Sequence, residues 1–360
     1  MINNKASQPI PKPELKLRLN FHTRLISPTK IKDIPKFQNQ LLYAHKPLAC
    51  PRISSLSWKV TARPLFFITF FTLFLTTSAL ADYKTQILKQ DNQSNLIVAS
   101  YNIKWFQHAN QSYEMLAQVI SNFDICGIVE LKDEKALRSL VGQLNKQSES
   151  QRGWGYAFGM RTHRPNGKYY ESYGVVWDRD IVELGNGIIS NVWDYNEDFR
   201  NDPFMVSFDW RGIDFTLILI HTRWSDDSDG TREGEVNAIA NYIRYLRGFL
   251  PEEDIILAGD FNYSTDKTPI KKMLKKAGLY QLTSDDNTTI GKETLYISSY
   301  DHIFATESMM RWIKEKSGHA FDATAFVYGD RTEETMKISK RQLSDHIPVF
   351  IELNRDLGVQ

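Results

Sequence analysis

Between residues 95 and 353 the chain alternates short apolar runs with amphipathic stretches. The apolar runs, bounded by polar and turn-forming residues, predict strands at 96–101, 124–130, 173–177, 204–208, 215–220, 254–258, 300–305 and 347–353. Apolar residues at helical spacing predict helices at 233–249, 112–122, 133–146 and 268–277. Many strands with helices between them predict one α/β domain built on two packed sheets. Periodicity alone also allows a single doubly wound sheet.

The first 81 residues follow a different pattern. Lys59 and Arg63 precede an apolar run at 65–75, and Ala79-Leu80-Ala81 follows it. A basic segment, an apolar segment and a small-x-small site predict a secretory signal peptide over 56–81. The apolar run is shorter than the about 20 residues of a membrane-spanning helix. We therefore expect a secreted or periplasmic protein cleaved after Ala81, with an uncleaved anchor and a cytosolic tail as the alternative.

Residues 1–55 are rich in Pro, Lys and Asn and show no clear period, which predicts a disordered extension. No methionine occurs between Met1 and Met115. A second hypothesis is therefore that translation starts at a non-Met codon near Leu56 or Val60, so that 1–55 are wrongly assigned to the protein. The other predicted segments are a short linker at 82–94, the folded domain at 95–353 and a tail at 354–360.

Charge is distributed unevenly along the chain. The formal net charge is +1, but residues 1–81 carry twelve Lys/Arg and two acids, which leaves 32 basic and 41 acidic residues in 82–360. The body of the protein is therefore acidic, which argues against a tight, salt-resistant grip on nucleic acid. An enzyme that contacts a phosphodiester briefly through a metal ion remains compatible with this charge.

Polar residues cluster at the ends of the predicted strands, where side chains on one rim of a sheet converge on one pocket. They are Asn102, Glu130, His221, Asp260, Asn262, Asp301, Asp345 and His346. Carboxylate and amide oxygens with imidazoles suit a hard cation such as Mg²⁺ or Mn²⁺. The sequence has no HExxH, CxxC or Walker-type loop, and its only cysteine after residue 81 is Cys126, in an apolar run. Zinc proteolysis and NTP hydrolysis are therefore disfavoured.

Each motif also has a common structural explanation. Gly259-Asp260-Phe261-Asn262 is an ordinary turn sequence, His221 alone would fit a core histidine, and Asp345-His346 alone would fit a surface pair. The argument against coincidence is their order, because six such motifs flank β-rich runs over some 245 residues.

In this order the motifs resemble the signature blocks of the endonuclease/exonuclease/phosphatase superfamily. The blocks are Ser100-Tyr101-Asn102-Ile103, Ile128-Val129-Glu130-Leu131-Lys132-Asp133, His221-Thr222, Gly259-Asp260-Phe261-Asn262, Tyr300-Asp301-His302-Ile303 and Ser344-Asp345-His346-Ile347-Pro348-Val349. Tyr169-Tyr170-Glu171, Asp202-Pro203 and Glu235-Val236-Asn237 resemble pancreatic-type deoxyribonucleases in particular. The resemblance covers about 95–353. It implies an α/β fold, a four-layer α/β/β/α sandwich of two packed mixed β-sheets with outer helices.

The resemblance also implies a Mg²⁺- or Mn²⁺-dependent endonuclease that hydrolyses DNA, with RNA left open, and the predicted signal peptide would make it a secreted one. The implied metal ligands are Glu130, Asn102, Asp345 and Asp260. The implied catalytic residues are His221, His346, Asp301, Glu171, Asp260 and Asn262. His346 is expected to be held by Asp301 and His221 by Glu171, and either histidine could remove the proton of the attacking water. His302 is expected to lie on the other face of its strand and to be structural.

Substrate contacts are expected from the loop 161–170, which mixes cations with aromatic residues, although a solvated basic hairpin is the alternative. The expected contact residues are Arg161, Arg164, Tyr169, Lys132, Arg200 and Arg223. Lys132 stands where the family has a minor-groove arginine, and Asn201 stands where it has a phosphate-binding arginine.

The acidic run 226–229 could hold a structural Ca²⁺, with a solvated loop as the more common case. We expect a monomer that needs no protein partner.

Other functions fit the same set of residues. A phosphomonoesterase or a sphingomyelinase-type lipid phosphodiesterase would share the fold. Phosphatases of that group usually have Trp-Cys-Asp-Arg where this chain has Ser299-Tyr300-Asp301-His302, and the sequence shows no clear apolar hairpin for a lipid surface. A catalytically idle binding or toxin-like module is disfavoured because the carboxylates and histidines are all retained.

Cleavage of the predicted signal peptide gives a mature chain that begins at Asp82. N-terminal sequencing of the exported protein checks this, and a mature chain that starts before Asp82 would contradict it.

Overall fold

The computed structural model describes residues 94–359 except for 107–110, 149, 160–170, 192–193, 195–197, 227–230, 249, 251–252 and 293–294. The predictions for residues 1–93 lie outside this range. So do most of the acidic run proposed for Ca²⁺ and the substrate loop with Arg161, Arg164 and Tyr169. Among the described residues, no helix has the length and apolar character needed to cross a membrane.

The described residues form strands and helices in alternation. The strands are β1 (Asn95–Phe106), β2 (Ile125–Leu131), β3 (Trp154–Phe158), β4 (Ser172–Asp178), β5 (Glu183–Asn191), β6 (Phe204–Trp210), β7 (Ile213–His221), β8 (Ile255–Asp260), β9 (Leu279–Gln281), β10 (Thr289–Ile290), β11 (Tyr296–Ser298), β12 (Asp301–Thr306), β13 (His319–Ala320) and β14 (Val349–Asn354). The α-helices are α1 (Tyr113–Ile120), α2 (Glu134–Gln147), α3 (Arg232–Leu246), α4 (Thr268–Ala277), α5 (Ala323–Tyr328) and α6 (Glu333–Gln342). Two 3₁₀ helices cover Ser308–Trp312 and Arg355–Val359.

The helices begin and end at residues that favour such boundaries. The Asp133 side chain accepts a hydrogen bond from the Ala136 amide at the start of α2, and Thr231 caps α3 in the same way. These side chains satisfy amides that have no partner within the helix. Helix α4 ends at Ala277, and the following Gly278 has a φ of 65°, the left-handed conformation in which many helices terminate.

The longer strands form two mixed sheets of six strands each. The first sheet has the order β13-β14-β1-β2-β4-β3, and the second has the order β5-β6-β7-β8-β12-β9. Each contains one parallel pair, β1 with β2 and β7 with β8, and antiparallel neighbours flank both pairs. The two sheets therefore repeat one arrangement, and a single doubly wound sheet is excluded.

Side chains of β7 divide the interior into two cores. Leu217 and Leu219 belong to the core shared with the first sheet, whereas Ile218 and Ile220 pack with the residues of α3 and α4. Successive side chains of a strand point to opposite faces, so this sheet is covered on both sides. On the first sheet, Gly174 of β4 faces Leu137 of α2. The result is the four-layer α/β/β/α sandwich that the resemblance implies.

Every strand and helix predicted from the pattern is present, with some boundaries shifted. The helix 268–277 agrees with α4, whereas β1 continues to Phe106 instead of ending at residue 101. The pattern did not predict β3, β5, β9, β10, β11, β13, α5 and α6. Most of these elements are short, and in α6 only Met336 and Ser339 are buried, so no apolar period marks the helix.

One edge of the sandwich collects the strand ends that carry polar residues. In the second sheet His221 pairs with Asp260 across β7 and β8, and Asp260 pairs with Asp301 across β8 and β12. In the first sheet β1 and β2 are parallel, and Asn102 pairs with Val129, so Asn102 and Glu130 lie next to each other at the same edge of the sheet. Antiparallel strands begin where their neighbours end, so Asp301 joins this edge from the start of β12.

We predict that Gly259→Ala lowers the free energy of unfolding by on the order of 3 kcal/mol. Gly259 has a φ of 144°, and a Cβ there would lie 1.9 Å from the Ile220 carbonyl oxygen of the paired strand. Gly142 in α2 is the control, because a Cβ there meets nothing within 4 Å. Gly142→Ala should stabilise by up to about 1 kcal/mol. Urea denaturation measures both, and equal midpoints for the two variants would contradict the account.

Candidate active site

Two carboxylates, one from each sheet, lie at the centre of this edge and are joined by one amide. Asn102 of β1, where regular pairing with β2 breaks off, donates from Nδ2 to Glu130 Oε1 at 2.9 Å and to Asp260 Oδ2 at 3.0 Å. Asn102 is fully buried and Asp260 is 2% exposed. This amide therefore holds the first sheet to the second at the point where the acids meet.

Two histidine–carboxylate pairs flank these central acids. His221 Nδ1 donates to Glu171 Oε2 at 2.7 Å, and His346 Nδ1 donates to Asp301 Oδ2 at 2.7 Å. Each ring then directs its Nε2 towards Asp260, whose Oδ2 lies 3.7 Å from both nitrogens. The pairing expected from the resemblance is thus present in the structure. We call the cleft formed by these histidines, Glu130, Glu171, Asp260, Asp301 and Asp345 the acidic cleft.

Neighbouring side chains fix both carboxylate partners. Asn201 Nδ2 donates to Glu171 Oε2 at 3.2 Å, and the hydroxyl of Thr288 donates to Asp301 Oδ2 at 2.6 Å. The hydroxyl of Tyr173 accepts the backbone amide of His221 at 2.9 Å. The sequence placed Asn201 at the family's phosphate-binding position, but it gave no signal for a role of Thr288 or Tyr173 here. Second contacts of this kind set the orientation of an imidazole.

Asn262 supports the loop that follows β8. Its backbone amide donates to Asp260 Oδ1 at 2.8 Å, and its Nδ2 donates to the Thr222 carbonyl at 2.8 Å. The residue therefore ties the loop after β7 to the loop after β8. Asp260 is fixed by it from the side opposite Asn102.

Backbone strain is concentrated at the acidic cleft. Lys104, Trp105, Glu130 and Asn262 have φ values of 44°, 50°, 59° and 51°. They are four of the six non-glycine residues with positive φ in the described part of the chain. Pairing of β1 with β2 breaks between Asn102 and Phe106, where two of these residues lie. Such conformations cost about 1–3 kcal/mol each and tend to persist at functional sites.

Burial disfavours the ionised form of the two central carboxylates. It raises the pKa of Glu130 above its ordinary value, against the attraction of His221. Burial, followed by the repulsion of Asp301, raises the pKa of Asp260. A carboxylate that is both buried and close to another acid favours either a proton or a nearby cation.

The two histidines are cationic in this surrounding. Burial lowers the pKa of His221, but the charge of Glu171 and its hydrogen bond outweigh that effect and raise the pKa to about 10. Burial likewise lowers the pKa of His346, but the charge and hydrogen bond of Asp301 outweigh it and raise that pKa to about 10. Without another cation nearby, both imidazoles are protonated at neutral pH.

The donor set of the acidic cleft fits a divalent cation. Ligand atoms of Glu130, His221 and Asp260 lie within 4.8 Å of one another, as do those of Asp260, Asp301 and His346. Asp301 Oδ1 is buried without a hydrogen-bond partner. Carboxylate oxygens with imidazoles are ligands for hard or borderline divalent ions. Glu130 and Asp260 would hold such an ion.

Comparison with known proteins agrees with this geometry. The sequence model described as the Endonuclease/Exonuclease/phosphatase family matches residues 99–346. The chain belongs to this family. Among curated relatives, human "Deoxyribonuclease gamma" is 24% identical over 277 residues, covering 71% of this chain and 85% of that protein. "Deoxyribonuclease-1-like 1" of Cricetulus griseus is 25% identical over 257 residues, covering 67% and 77%.

Solved structures share the fold. The endonuclease/exonuclease/phosphatase from Bacteroides vulgatus superposes with a TM-score of 0.50 at 15% identity, covering 72% of this chain and 98% of that one. The human Nocturnin catalytic domain with bound sulfate anion gives a TM-score of 0.50 at 13% identity, covering 72% and 94%. At this identity the likeness shows the architecture of the family and nothing of the substrate.

Two of the four residues expected to bind metal in this family member have other partners. Asp345 lies outside both ligand groups, and its Oδ2 is 2.6 Å from Lys104 Nζ. Asn102 directs its Nδ2 to the carboxylates, and its Oδ1 accepts the Lys104 amide at 2.9 Å. The structure therefore gives Asn102 a bridging position and pairs Asp345 with a lysine.

The expectation that Arg223 contacts substrate is wrong. Arg223 is 2% exposed, and its Nε lies 3.2 Å from Glu235 Oε1 of α3. Glu235 is also buried and accepts the backbone amides of Arg223 and Arg200. This carboxylate joins the loop after β7 to the segment that carries Asn201. The guanidinium is required inside because an unpaired buried Glu235 would be costly.

Lys132 and Arg200 remain close to the cleft. Burial raises the pKa of Glu171, but His221, followed by Arg200 and Lys132, outweighs burial, and the pKa lies below its ordinary value. Lys132 Nζ is also 3.2 Å from the centre of the Trp105 ring. The pattern along the chain gave no signal for Lys104 or Trp105, because the strand break that exposes them depends on contacts distant in sequence.

His302 is structural, as expected. It is fully buried, and its Nε2 lies 2.9 Å from the Tyr263 carbonyl oxygen and 3.1 Å from that of Ser299. Burial lowers its pKa. Cys126 is likewise buried in the core of the first sheet.

Proposed function

We propose that this protein is a Mg²⁺- or Mn²⁺-dependent nuclease that hydrolyses DNA outside the cytoplasm. The observation that carries the proposal is the pair of histidines that face one carboxylate, each held by its own acid. His221 and His346 both present Nε2 to Asp260, beside Glu130. Two positioned imidazoles around an acidic ion site are suited to hydrolysis of a phosphodiester.

A phosphodiester resists hydrolysis because its anionic phosphate repels hydroxide and its alkoxide leaves poorly. A divalent ion held by Glu130 and Asp260 would neutralise charge on the phosphate. Its positive charge would also lower the pKa values of the two histidines, which the nearby carboxylates raise. The protein then has to move two protons. One leaves the attacking water, and the other reaches the leaving oxygen.

The histidine Nε2 atoms perform these transfers. Their Nδ1 atoms are engaged by Glu171 and Asp301, which fixes the tautomer and directs the opposite nitrogen into the cleft. One imidazole accepts the proton of water while the other, kept protonated by its carboxylate, donates to the leaving oxygen. Asn102 and Asn262 hold Asp260 so that both nitrogens keep their distance from it.

DNA is the proposed substrate because curated relatives over most of the chain are named deoxyribonucleases. Lys132 and Arg200 supply positive charge beside Glu171 for phosphates of the strand. RNA has the same linkage and stays open. We propose a monomer, since no step described above needs a second chain.

A sphingomyelinase-type lipid phosphodiesterase is a second candidate, favoured by a hairpin that the sequence did not reveal. β10 and β11 form a two-stranded hairpin in which Leu295 and Ile297 are 60% and 57% exposed. Thr289 of this hairpin forms a bridge with His346. Apolar side chains exposed beside the cleft would suit a lipid surface.

Purified protein should nick plasmid DNA in Mg²⁺ or Mn²⁺ and leave sphingomyelin vesicles and a phosphomonoester intact. Gel electrophoresis and phosphate release measure these reactions on one preparation. His346→Ala, purified in parallel, controls for contaminating nucleases. Hydrolysis of sphingomyelin or the monoester without DNA cleavage would reject the nuclease in favour of another member of the family.

His221→Ala and His346→Ala should each lower kcat by about 10²–10⁴ because each removes one proton-transfer group. Steady-state cleavage of a short duplex measures the effect, with circular dichroism to confirm folding. His319→Ala is the matched control, since His319 contacts the Lys316 carbonyl away from the cleft. Near-normal turnover in either cleft variant would remove that histidine from the mechanism.

Chelation by EDTA should abolish cleavage, and added Mg²⁺ or Mn²⁺ should restore it. Glu130→Gln keeps the size of the side chain but removes the charge, so it should weaken metal affinity by at least about tenfold. Isothermal titration calorimetry measures the affinity independently of turnover. Full activity in EDTA would contradict a metal-dependent reaction.

A further inference from the structure

The ammonium of Lys132 rests on an aromatic face beside the acidic cleft. Its Nζ lies 3.2 Å from the centre of the Trp105 ring, and both side chains are half-buried. Attraction between an ammonium and an aromatic ring is about 0.5–1 kcal/mol at exposed sites and about 2 kcal/mol where water is excluded. The contact is therefore strong enough to favour one place for the ammonium over the many that a free lysine would visit.

The backbone fixes both partners next to Glu130. Trp105 has a φ of 50° and lies where the pairing of β1 with β2 breaks. Its amide donates to Glu130 Oε2 at 3.1 Å, and the Lys132 amide donates to the Phe106 carbonyl at 3.2 Å. The ring therefore occupies a fixed position beside a carboxylate that we propose as an ion ligand.

The charge of Lys132 also reaches the other side of the cleft. Burial raises the pKa of Glu171, and the charge of His221 outweighs burial, with a smaller contribution from Lys132. The ammonium thus lies between the proposed ion site and the carboxylate that holds His221. A strand that places one phosphate at Glu130 brings a neighbouring phosphate past Lys132. Cations in such positions fix the register of a nucleic acid without reading its bases.

A lysine needs support to act in this way. Its ammonium is a point charge on a flexible four-carbon stem, without the planar fork of arginine, and fixing the stem costs about 2 kcal/mol of rotamer entropy. A ring that holds the ammonium before the substrate arrives lowers the cost of binding.

We propose that Trp105 is a positioning residue, which holds the Lys132 ammonium ready for a phosphate of the substrate strand next to the one that is cleaved. The pair acts on binding of the strand and not on the chemical step, because the proton transfers belong to the histidines. This inference rests on the proposed function, since it takes nucleic acid as the substrate.

Steady-state cleavage of a short DNA duplex in Mg²⁺ tests the proposal by separating KM from kcat. Trp105→Leu keeps apolar bulk but removes the aromatic face, so it should raise KM about threefold to tenfold and leave kcat within about twofold. Lys132→Met should raise KM at least as much. Trp105→Leu added to Lys132→Met should raise KM no further, because the ring then has no ammonium to hold.

Two control variants separate this role from a purely structural one. Trp105→Phe keeps an aromatic face and should stay within about twofold of the wild-type KM. Trp312→Leu is the matched control and should leave KM unchanged. Its ring centre lies 5.1 Å from the Arg311 guanidinium in the 3₁₀ helix that follows β12, at the edge of the sandwich opposite the cleft.

Direct binding checks the same ratios without turnover. In a His346→Ala background, fluorescence anisotropy of a labelled duplex should show the same losses of affinity in the Trp105 and Lys132 variants. A wild-type KM in Trp105→Leu would overturn the role of Trp105. So would a KM rise that is the same with and without Lys132, or a fall in kcat at constant KM.

Nuclear magnetic resonance of protein with isotope-labelled lysine keeps the test decisive if Trp105→Leu does not fold. The side-chain signal of Lys132, assigned by its loss in Lys132→Met, should lie upfield because of the ring beneath it and should shift when DNA is added. A signal at the usual lysine position, or one that DNA does not move, would overturn the inference. Failure of the wild-type protein to cleave DNA at all would instead overturn the proposed function.

Discussion

The active site depends on one constraint: several carboxylates are buried close together, and positive charge is needed nearby to balance them. Asp260 lies 3.7 Å from two imidazole nitrogens, and its pKa is raised by burial and by the neighbouring Asp301. Buried carboxylates repel one another unless protons or cations separate them. The histidines, Lys104 and a divalent ion are the charges that this cleft can use. The chemistry of the cleft depends on which of these positive charges lies beside which carboxylate.

The sandwich creates this concentration of charge by its symmetry. Each sheet contributes one parallel pair whose carboxyl ends lie at the same edge, so Glu130 and Asp260 meet there from different sheets. Asn102 joins them through its amide. The antiparallel neighbours begin at that edge and add Glu171 and Asp301, one behind each histidine. A single parallel pair would therefore supply only one of the two central carboxylates.

The sequence predicted the parts of this arrangement that local pattern encodes. Apolar runs that end in Glu130 or Asp260 mark buried strands with polar ends, so both the layers and the principal acids could be inferred. Partners such as Glu171 for His221 came only from family resemblance, because 50 positions separate them. Arg223 was misplaced because no local pattern shows that Glu235 is buried beside it. The position of Lys104 depends on a strand break stabilised by distant residues.

Crystals grown with Mn²⁺ provide the most direct test of the account. Anomalous difference density should show an ion in contact with the carboxylates of Glu130 and Asp260, between the two histidines. Such a peak would mean that folding has built the cleft around a cation. A fully ordered cleft without an ion at saturating Mn²⁺, or an ion bound only away from these two acids, would contradict it.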